Sequence, residues 1–188
     1  MGVFEGCVQT AVFHLEWTAP KRPVGRFRRM SGSAAARSRT TPGVPSVMEA
    51  LDLTKHRPRS PWAQLDGLYM LPRTIDKLRA RLPGGNPGPY NIAGFSQRLL
   101  EAVGVTEEAA REAVARAADN AEFASWLRAN GDASKYEAVN DRLANRRLAD
   151  IDDKETFFGK YPQAREMPLD TRLFDMLDND DDAIFAAI

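Results

Sequence analysis

The clearest hydrophobic pattern in the chain lies between residues 71 and 85. Four apolar residues fall within one narrow stripe of a helix at ~100° per residue: Leu71, Ile75, Leu78 and Leu82. Pro72 stands where such a helix would begin, and Gly84 and Gly85 stand where it would end, which is the usual asymmetry of the two termini. We therefore predict an amphipathic helix whose leucine and isoleucine side chains face the core.

Proline and capping residues predict shorter helices on either side of this one. Ser60 followed by Pro61 is a good helix start, with serine as the N-cap and proline at the first helical position. We expect a helix over residues 61–66 that stops at Gly67. Residues 52–60 should be extended, because residues that precede prolines are displaced from the helical region. Beyond a turn-rich loop at 83–89, another short helix is expected over residues 96–103.

Capping patterns recur in the second half of the chain. Three polar residues are each followed within three positions by a glutamate, as at a helix start: Thr106, Asp119 and Ser134. Apolar residues at helical spacing predict further helices around Phe157 and Phe158 and over residues 169–177. No alternation of apolar and polar residues extends beyond a few positions. The sequence therefore predicts an all-α fold, a small irregular helical domain with long loops.

Residues 1–47 differ from the rest in composition. They carry seven basic and two acidic side chains, a net charge of +5, and residues 31–41 are rich in serine, alanine and arginine. Such a segment buries too little apolar surface to offset the entropy of ordering it. We interpret it as a disordered basic leader before a helical domain at 48–188. Either it is an arm that contacts an acidic surface, or the natural start is Met48 and the leader is an upstream over-extension or an idle tail. The composition favours the second alternative.

Charge and cysteine usage narrow the classes of partner. Residues 48–188 carry 19 basic and 24 acidic side chains, a net charge of −5. An acidic body argues against nucleic acid, because phosphate neutralisation dominates such binding. The longest apolar runs are a few residues, whereas a membrane-spanning helix needs roughly 18, so no membrane partner is expected. The single cysteine, Cys7, allows no intrachain disulfide and fits a reducing, cytoplasmic location.

Metal and cofactor motifs are weak. The sequence has only two histidines, so a paired-imidazole metal site is not expected. Asp178, Asp180 and Asp182 match the first three ligands of a calcium loop, but Ala183 stands where that loop needs a glycine. We interpret residues 178–182 as a solvated acidic tail. The glycines at 84–88 lack the lysine and hydroxyl residue of a phosphate-binding loop. We therefore expect no metal and no cofactor.

One polar cluster on the 72–82 helix could carry a binding site. Arg73, Asp76 and Lys77 occur at i, i+3 and i+4, the spacing at which helical side chains meet. An arginine and a lysine beside an aspartate could hold a carboxylate or phosphate, and Tyr69 or Tyr90 could add a hydrogen-bond donor or weak acid. The alternative is a solvated helix face with one ordinary ion pair worth about 0–1 kcal/mol. Spacing alone favours this alternative.

Motifs along the chain resemble a known family. A D-L-T-K-x-x-P-R-S-P motif matches residues 52–61, and a G-x-x-x-L-P-R-x-x-D-K-x-R motif matches residues 67–79. A later W-x-x-x-x-G matches residues 126–131, and a terminal F-D-x-L-D matches residues 174–178. On these motifs, about three-quarters of the chain resembles a bacterial domain family of unknown function.

The resemblance bears on the polar helix face. It implies that four charged residues of the helix belong to the family pattern: Arg73, Asp76, Lys77 and Arg79. Family members carry a G-x-Y-x-Y-x-C-P-L-D segment after the loop, from which residues 88–95 depart. The resemblance implies no chemistry.

Two functions from different classes are compatible with these patterns. The first is a binding or enzymatic site for a small anionic metabolite, where the helix face of Arg73, Asp76 and Lys77 meets the loop of Tyr90. The second is a non-catalytic interaction or regulatory module, in which the segment from Leu169 to Ile188 docks on a protein partner or a second copy. Exposed apolar ends such as Ile184, Phe185 and Ile188 are common partner surfaces. Because no nucleophile–base pair is apparent, the sequence slightly favours the second function and leaves open whether the protein is an enzyme.

Overall fold

Residues 47–186 are described by a computed structural model, and they form seven α-helices, three short 3₁₀ helices and one two-stranded hairpin. The α-helices are α1 (Leu71–Arg79), α2 (Phe95–Ala102), α3 (Glu107–Arg116), α4 (Asn120–Asn130), α5 (Tyr136–Ala144), α6 (Lys154–Lys160) and α7 (Leu173–Ala186). The hairpin consists of β1 (Gln64–Leu65) and β2 (Leu68–Tyr69), and the 3₁₀ helices span Ala133–Lys135, Leu148–Asp150 and Pro162–Glu166. The predicted helical fold is confirmed. The predicted leader lies outside the described residues, apart from Val47, as does Ile188.

The helix predicted over residues 61–66 is wrong, because this segment forms the hairpin. Asp66 and Gly67 connect β1 to β2, and their φ angles are 53° and 81°. Two consecutive residues with positive φ make the two-residue turn that matches the twist of antiparallel strands, and Asp-Gly is a preferred pair for it. Ser60 caps only a local turn, in which its hydroxyl accepts a hydrogen bond from the Trp62 amide at 3.2 Å.

Two predicted helix starts are confirmed. The Thr106 hydroxyl accepts a hydrogen bond from the Ala109 amide at 3.2 Å, at the start of α3. The Asp119 carboxylate accepts one from the Glu122 amide at 2.8 Å, at the start of α4. Glu122 in turn accepts a bond from the Ala118 amide, one residue before the expected donor of a capping box.

The third predicted start is displaced by two residues. Asp132, and not Ser134, is the capping residue, and its carboxylate accepts hydrogen bonds from both the amide and the hydroxyl of Ser134. The first turn is a 3₁₀ helix, and α5 follows it directly. The apolar side of α5 was predicted correctly, since Tyr136, Val139 and Leu143 are all buried.

Helix α1 is buried on every side. Leu71, Ile75 and Leu78 are fully buried, as the apolar stripe predicts. The polar residues between them are buried too, so eight of the nine residues of α1 are inaccessible to solvent. The helix packs against α2, α3 and the hairpin. The alternative of a solvated polar face is therefore wrong.

Apolar residues form a main core around α1 and a smaller one near the C-terminal part of the chain. The main core draws on α1 to α5 and on Phe174 of α7. The smaller core contains five buried residues: Leu148, Ala164, Leu173, Met176 and Leu177. Helix α7 therefore contributes side chains to both cores.

The acidic residues of α7 dock onto the chain's own N-terminal half. Asp175 accepts a hydrogen bond from the Trp62 indole at 2.8 Å, and Asp178 accepts one from the Ser60 hydroxyl at 2.7 Å. Asp181 is 1% exposed. The interpretation of residues 178–182 as a solvated acidic tail is wrong for Asp178 and Asp181, because polar partners more than 90 residues earlier in the chain hold them.

Candidate functional site

A cavity of about 530 Å³ lies beside α1. Its wall is built from α1, the segment at 89–94, α2, α6 and α7, together with residues 70, 146, 151 and 161. Its volume falls within the range of small-molecule sites, roughly 300–1,000 Å³. Of the six residues that the sequence suggested for a site, three line this cavity: Arg73, Lys77 and Tyr90.

Arg73 forms a buried ion pair with Asp181 of α7. Its Nη1 lies 2.5 Å from Oδ2 and its Nη2 lies 3.0 Å from Oδ1, and both side chains are 2% exposed. Nη1 also donates to the Arg59 carbonyl at 3.1 Å. A carboxylate of the chain thus occupies the two-pronged face of the guanidinium that the sequence assigned to an external anion.

Tyr90 belongs to the same buried network. Its hydroxyl donates to Oδ1 of Asp181 at 2.9 Å, and the Arg73 guanidinium lies 5.6 Å from its ring centre. Burial, followed by the negative charge of Asp181, raises the pKa of the Tyr90 phenol well above its ordinary value. This phenol therefore holds its proton and acts as a hydrogen-bond donor to Asp181 rather than as a weak acid.

Asp76 is directed toward Arg59 and is not among the residues that line the cavity. Its carboxylate accepts three hydrogen bonds from Arg59: from the backbone amide at 2.9 Å, from Nε at 2.8 Å and from Nη2 at 2.7 Å. The helical spacing predicted Asp76 beside Arg73 and Lys77 on one side of α1. In the structure this carboxylate instead holds the 57–62 segment against α1.

Tyr69 and Arg79 also lie away from the cavity wall. The Tyr69 ring packs edge-on against Trp62 and Phe174, with centroid distances of 5.7 and 6.4 Å. The Nε of Arg79 donates to the Glu49 carbonyl at 2.8 Å. Both side chains stabilise the fold and neither reaches the wall.

Lys77 is the buried cation of α1 that has no partner among residues 47–186. It is 9% exposed, it lines the cavity, and its ammonium makes no salt bridge or hydrogen bond within this part of the chain. Burial, followed by repulsion from Arg73, lowers the pKa of the Lys77 ammonium to about 7, although Asp181 partly offsets the shift. Near neutral pH, a substantial fraction of the molecules therefore carries an uncharged amine here.

Further charges surround the cavity that the sequence did not single out. Three more basic side chains line it: Arg98, Arg146 and Lys160. Asp180 is the acidic residue of the wall, and burial, its largest influence, raises the pKa of this carboxyl above the ordinary value. Arg98 and Lys160 are exposed at the rim, and Arg146 is partly buried.

The rest of the wall is mostly apolar. Four aromatic side chains contribute to it: Tyr90, Phe95, Phe157 and Tyr161. Of these four, the sequence pointed only to Tyr90 as a site residue. Phe95 belongs to α2, whereas Phe157 and Tyr161 lie in and just after α6. Sequence reasoning missed these three because each taken alone has the spacing of an ordinary core residue.

A family model matches residues 55–183, and its description is Domain of unknown function (DUF5069). The chain belongs to this family. No curated protein matches the chain. The match spans α1, the whole cavity wall except Ile184, and the Arg73–Asp181 pair, so the site described above lies within the DUF5069 domain. The family description assigns no function.

The described residues offer neither a cluster of metal-binding side chains nor a membrane-spanning helix. Residues 47–186 contain no group of three or more histidine, cysteine, aspartate or glutamate side chains that could hold a metal ion. In the same range, no helix is both long and apolar enough to cross a membrane.

Proposed function

We propose that this DUF5069 domain binds a small anionic molecule with an apolar or aromatic portion in the cavity beside α1. The observation that carries the proposal is the concentration of basic side chains in the wall of a mostly apolar cavity. The body of the protein is acidic, with a net charge of −5 over residues 48–188. The basic wall is therefore a local feature and not a reflection of overall charge.

The charges of the wall do not balance within the described chain. Asp181 neutralises Arg73, which leaves three basic side chains besides Lys77 in a wall with one acidic residue, Asp180: Arg98, Arg146 and Lys160. Arg146 is partly buried, and a cation beside buried apolar surface costs free energy unless an anion lies near it. A carboxylate or phosphate of a ligand would offset this cost.

The aromatic and aliphatic wall suits the rest of such a ligand. Small-molecule sites are mainly hydrophobic, and a few polar groups fix the orientation of the ligand. Phe95 and Phe157 supply apolar surface, while Ile151 and Met176 add aliphatic surface. A simple inorganic anion would leave this surface unused, so we favour an organic anion.

Residues of the motifs that resemble a bacterial family form hydrogen bonds that support the site. Arg59 is hydrogen-bonded to Asp76, and Ser60 is hydrogen-bonded to Asp178. We propose that these contacts between the motifs hold α1 and α7 at the spacing that the cavity needs. In this proposal Arg73 and Asp76 shape the site, and Lys77 contacts the ligand.

The interaction module is the weaker proposal. Its docking surface was expected over residues 169–188, but Leu173, Phe174 and Leu177 are buried in the chain's own cores. Leu169 is 53% exposed, and Phe185 is partly buried. Little apolar surface of residues 169–186, the described part of this segment, is left for a partner.

We also propose that the folded domain begins near Met48. Met48 is 8% exposed, and its backbone amide donates to the Ala117 carbonyl at 2.8 Å. A chain shortened to start at this residue should therefore keep cooperative thermal unfolding.

A binding screen with matched variants tests the ligand proposal. The full chain is screened by thermal shift against organic carboxylates and phosphates, and hits are measured by calorimetry. We expect Arg98→Gln and Arg146→Gln to weaken a hit by about tenfold, which corresponds to about 1.4 kcal/mol. Arg142→Gln, an exposed residue of α5 that is not part of the wall, is the matched control and should leave affinity unchanged. Absence of any anionic hit, or equal affinity in all three variants, would contradict the proposal.

A further inference from the structure

We propose that Lys77 forms an imine with the carbonyl group of a 2-oxo acid held in the cavity. This inference rests on the proposed function, because the carboxylate of the acid would be the anion that the basic wall holds. It goes further by naming the class of ligand and the atom that reacts with it, the Nζ of Lys77.

The position of Lys77 is the first reason. It extends from a helix that is buried on all sides, yet it lines the cavity, so its amine meets a bound molecule rather than bulk solvent. Within the described range no carboxylate lies within salt-bridge distance of this amine, although Asp76 belongs to α1 and Asp181 pairs with Arg73 of the same helix. Those two carboxylates are held by Arg59 and Arg73 instead. A paired lysine would keep its proton and could not act as a nucleophile.

Its electrostatic surroundings are the second reason. A buried lysine beside another cation is the environment in which amines lose their charge and form imines with carbonyl compounds. Burial and the neighbouring Arg73 lower the pKa of the Lys77 ammonium to about 7. Lys160, in contrast, lies exposed at the rim of the same cavity and is the internal comparison.

The other groups of the wall suit a 2-oxo acid. Its carboxylate lies next to its carbonyl carbon, so a basic side chain of the same wall can hold it while the amine reacts. Lys160 lines the same cavity as Lys77 and Asp180. The apolar wall, which includes Phe95 and Phe157, can take the side chain of the acid.

The reaction balances without an oxidant or a metal. The uncharged amine attacks the carbonyl carbon, a C–N bond forms, and the carbonyl π pair moves to oxygen, which takes up a proton. The nitrogen of this carbinolamine loses its excess proton. A second proton then lets the hydroxyl leave as water, and the nitrogen lone pair forms the protonated imine. Asp180, a cavity carboxyl whose pKa burial raises, is the group in the wall that can carry these protons.

Reductive trapping tests this inference. The full chain is incubated at pH 7 with pyruvate, 2-oxoisovalerate or phenylpyruvate in the presence of cyanoborohydride, which reduces an imine to a stable secondary amine. Digestion and mass spectrometry then locate the product, whose mass rises by that of the acid less one oxygen atom. We expect Lys77 to be labelled at least tenfold faster than Lys135, an exposed lysine on the 3₁₀ helix before α5. Lys77→Met should abolish the fast labelling.

Each 2-oxo acid is paired with its 2-hydroxy acid, which has the same charge and a similar size but no ketone group to react with an amine. We expect phenyllactate to slow the labelling of Lys77 by phenylpyruvate, because both occupy the cavity. If both acids bind but Lys77 is labelled no faster than Lys135, the imine is excluded and the ligand proposal stands. If neither acids nor any other anions bind, the ligand proposal fails as well. The peptide map of the wild-type chain gives this answer even where Lys77→Met changes folding.

Discussion

Helix α1 carries three buried ionisable side chains, of which two are paired with an opposite charge and one is not. Arg73 and Asp76 each bind an oppositely charged side chain, Asp181 and Arg59 respectively. Lys77, one turn beyond Arg73, has no such partner among residues 47–186. A buried charge with a partner is a structural feature, whereas a buried charge without one costs stability. In the proposed function, this difference separates Arg73 and Asp76, which build the site, from Lys77, which contacts the ligand.

Helix α7 connects the paired charges of α1 to the cavity that Lys77 lines. One side of this helix supplies Asp181 to Arg73, and another side supplies Met176 and Asp180 to the cavity wall. The buried ion pair therefore fixes the position of a helix that forms the wall. On this basis, changes to the paired charges should lower stability, whereas replacing Lys77 by an uncharged residue should raise it and abolish the proposed ligand chemistry.

The largest expected effect comes from breaking the buried pair. Asp181→Ala leaves the Arg73 guanidinium buried with only the Arg59 carbonyl as a partner. We expect a loss of about 3–5 kcal/mol in the free energy of unfolding, measured by urea denaturation, because an uncompensated buried charge remains.

A double variant is the control for this prediction. Arg73→Met combined with Asp181→Leu removes both charges and keeps apolar volume, and it should recover most of the lost stability. A cost below about 1 kcal/mol for Asp181→Ala alone would fall in the range of exposed ion pairs. The paired charges would then not differ in energy from ordinary surface charges, and the contrast with Lys77 would be lost.

The second prediction is that Lys77→Met increases the free energy of unfolding, whereas Asp181→Ala decreases it. The folded-state pKa of Lys77, about 7, lies below the ordinary value of 10.5, so the unfolded chain binds more protons between these pH values. Wild-type stability should therefore rise with pH across this window. Folding of the wild-type chain costs free energy below pH 10.5, because the Lys77 amine must lose its proton or be buried with its charge. The variant has no such cost and should be more stable by as much as about 4 kcal/mol at pH 7, and the difference should shrink as pH approaches 10.5.

Burial sets most of the size of that effect, and four charged groups add to it or oppose it: Arg73, Asp181, Lys160 and Arg81. Urea denaturation of the wild-type protein and of Lys77→Met at several pH values between 6 and 10 measures the difference. Lys135→Met, at an exposed lysine that does not act on Lys77, is the matched control. A stability difference that does not change with pH would mean that Lys77 keeps its charge in the folded protein.

Local features of the sequence were enough to predict most helices. Thr106 and Asp119 mark starts that the structure reproduces, because capping hydrogen bonds join residues only three apart. The hairpin was missed although Asp66 and Gly67 carry its signal. A serine–proline pair just before them also fits a helix start, and periodicity over so few residues does not distinguish the two.

The contacts that define the site could not be predicted in this way. Arg73 and Asp181 are 108 residues apart, and nothing in the sequence indicates that they pair. The polar spacing of α1 was correctly recognised, but the usual expectation that a polar side faces solvent fails for a helix enclosed on all sides. The three cations of the wall outside α1 come from separate elements, so only the fold brings them together.

The smallest expected effect concerns Tyr90. It tests whether this residue stabilises the site, like Arg73 and Asp76, or contacts the ligand, as proposed for Lys77. Its ring lines the cavity, but its hydroxyl is bound to Asp181, which also accepts both bonds from Arg73. Tyr90→Phe keeps the ring and leaves that carboxylate satisfied by the guanidinium. We therefore expect a loss of only about 1 kcal/mol in urea denaturation, the typical net worth of one hydrogen bond.

Binding measurements complete the argument for Tyr90. Since Asp181 holds the phenol, Tyr90→Phe should leave the rate at which phenylpyruvate labels Lys77 within about twofold of wild type, or about 0.4 kcal/mol. Tyr161→Phe is the matched control, because Tyr161 also lines the cavity but its hydroxyl makes no hydrogen bond within the described residues. A tenfold lower rate of Lys77 labelling in Tyr90→Phe, with unchanged stability, would mean that Tyr90 contacts the ligand. The buried ion pair would then be part of the reacting site, because Asp181 would be linked to the ligand through the tyrosine.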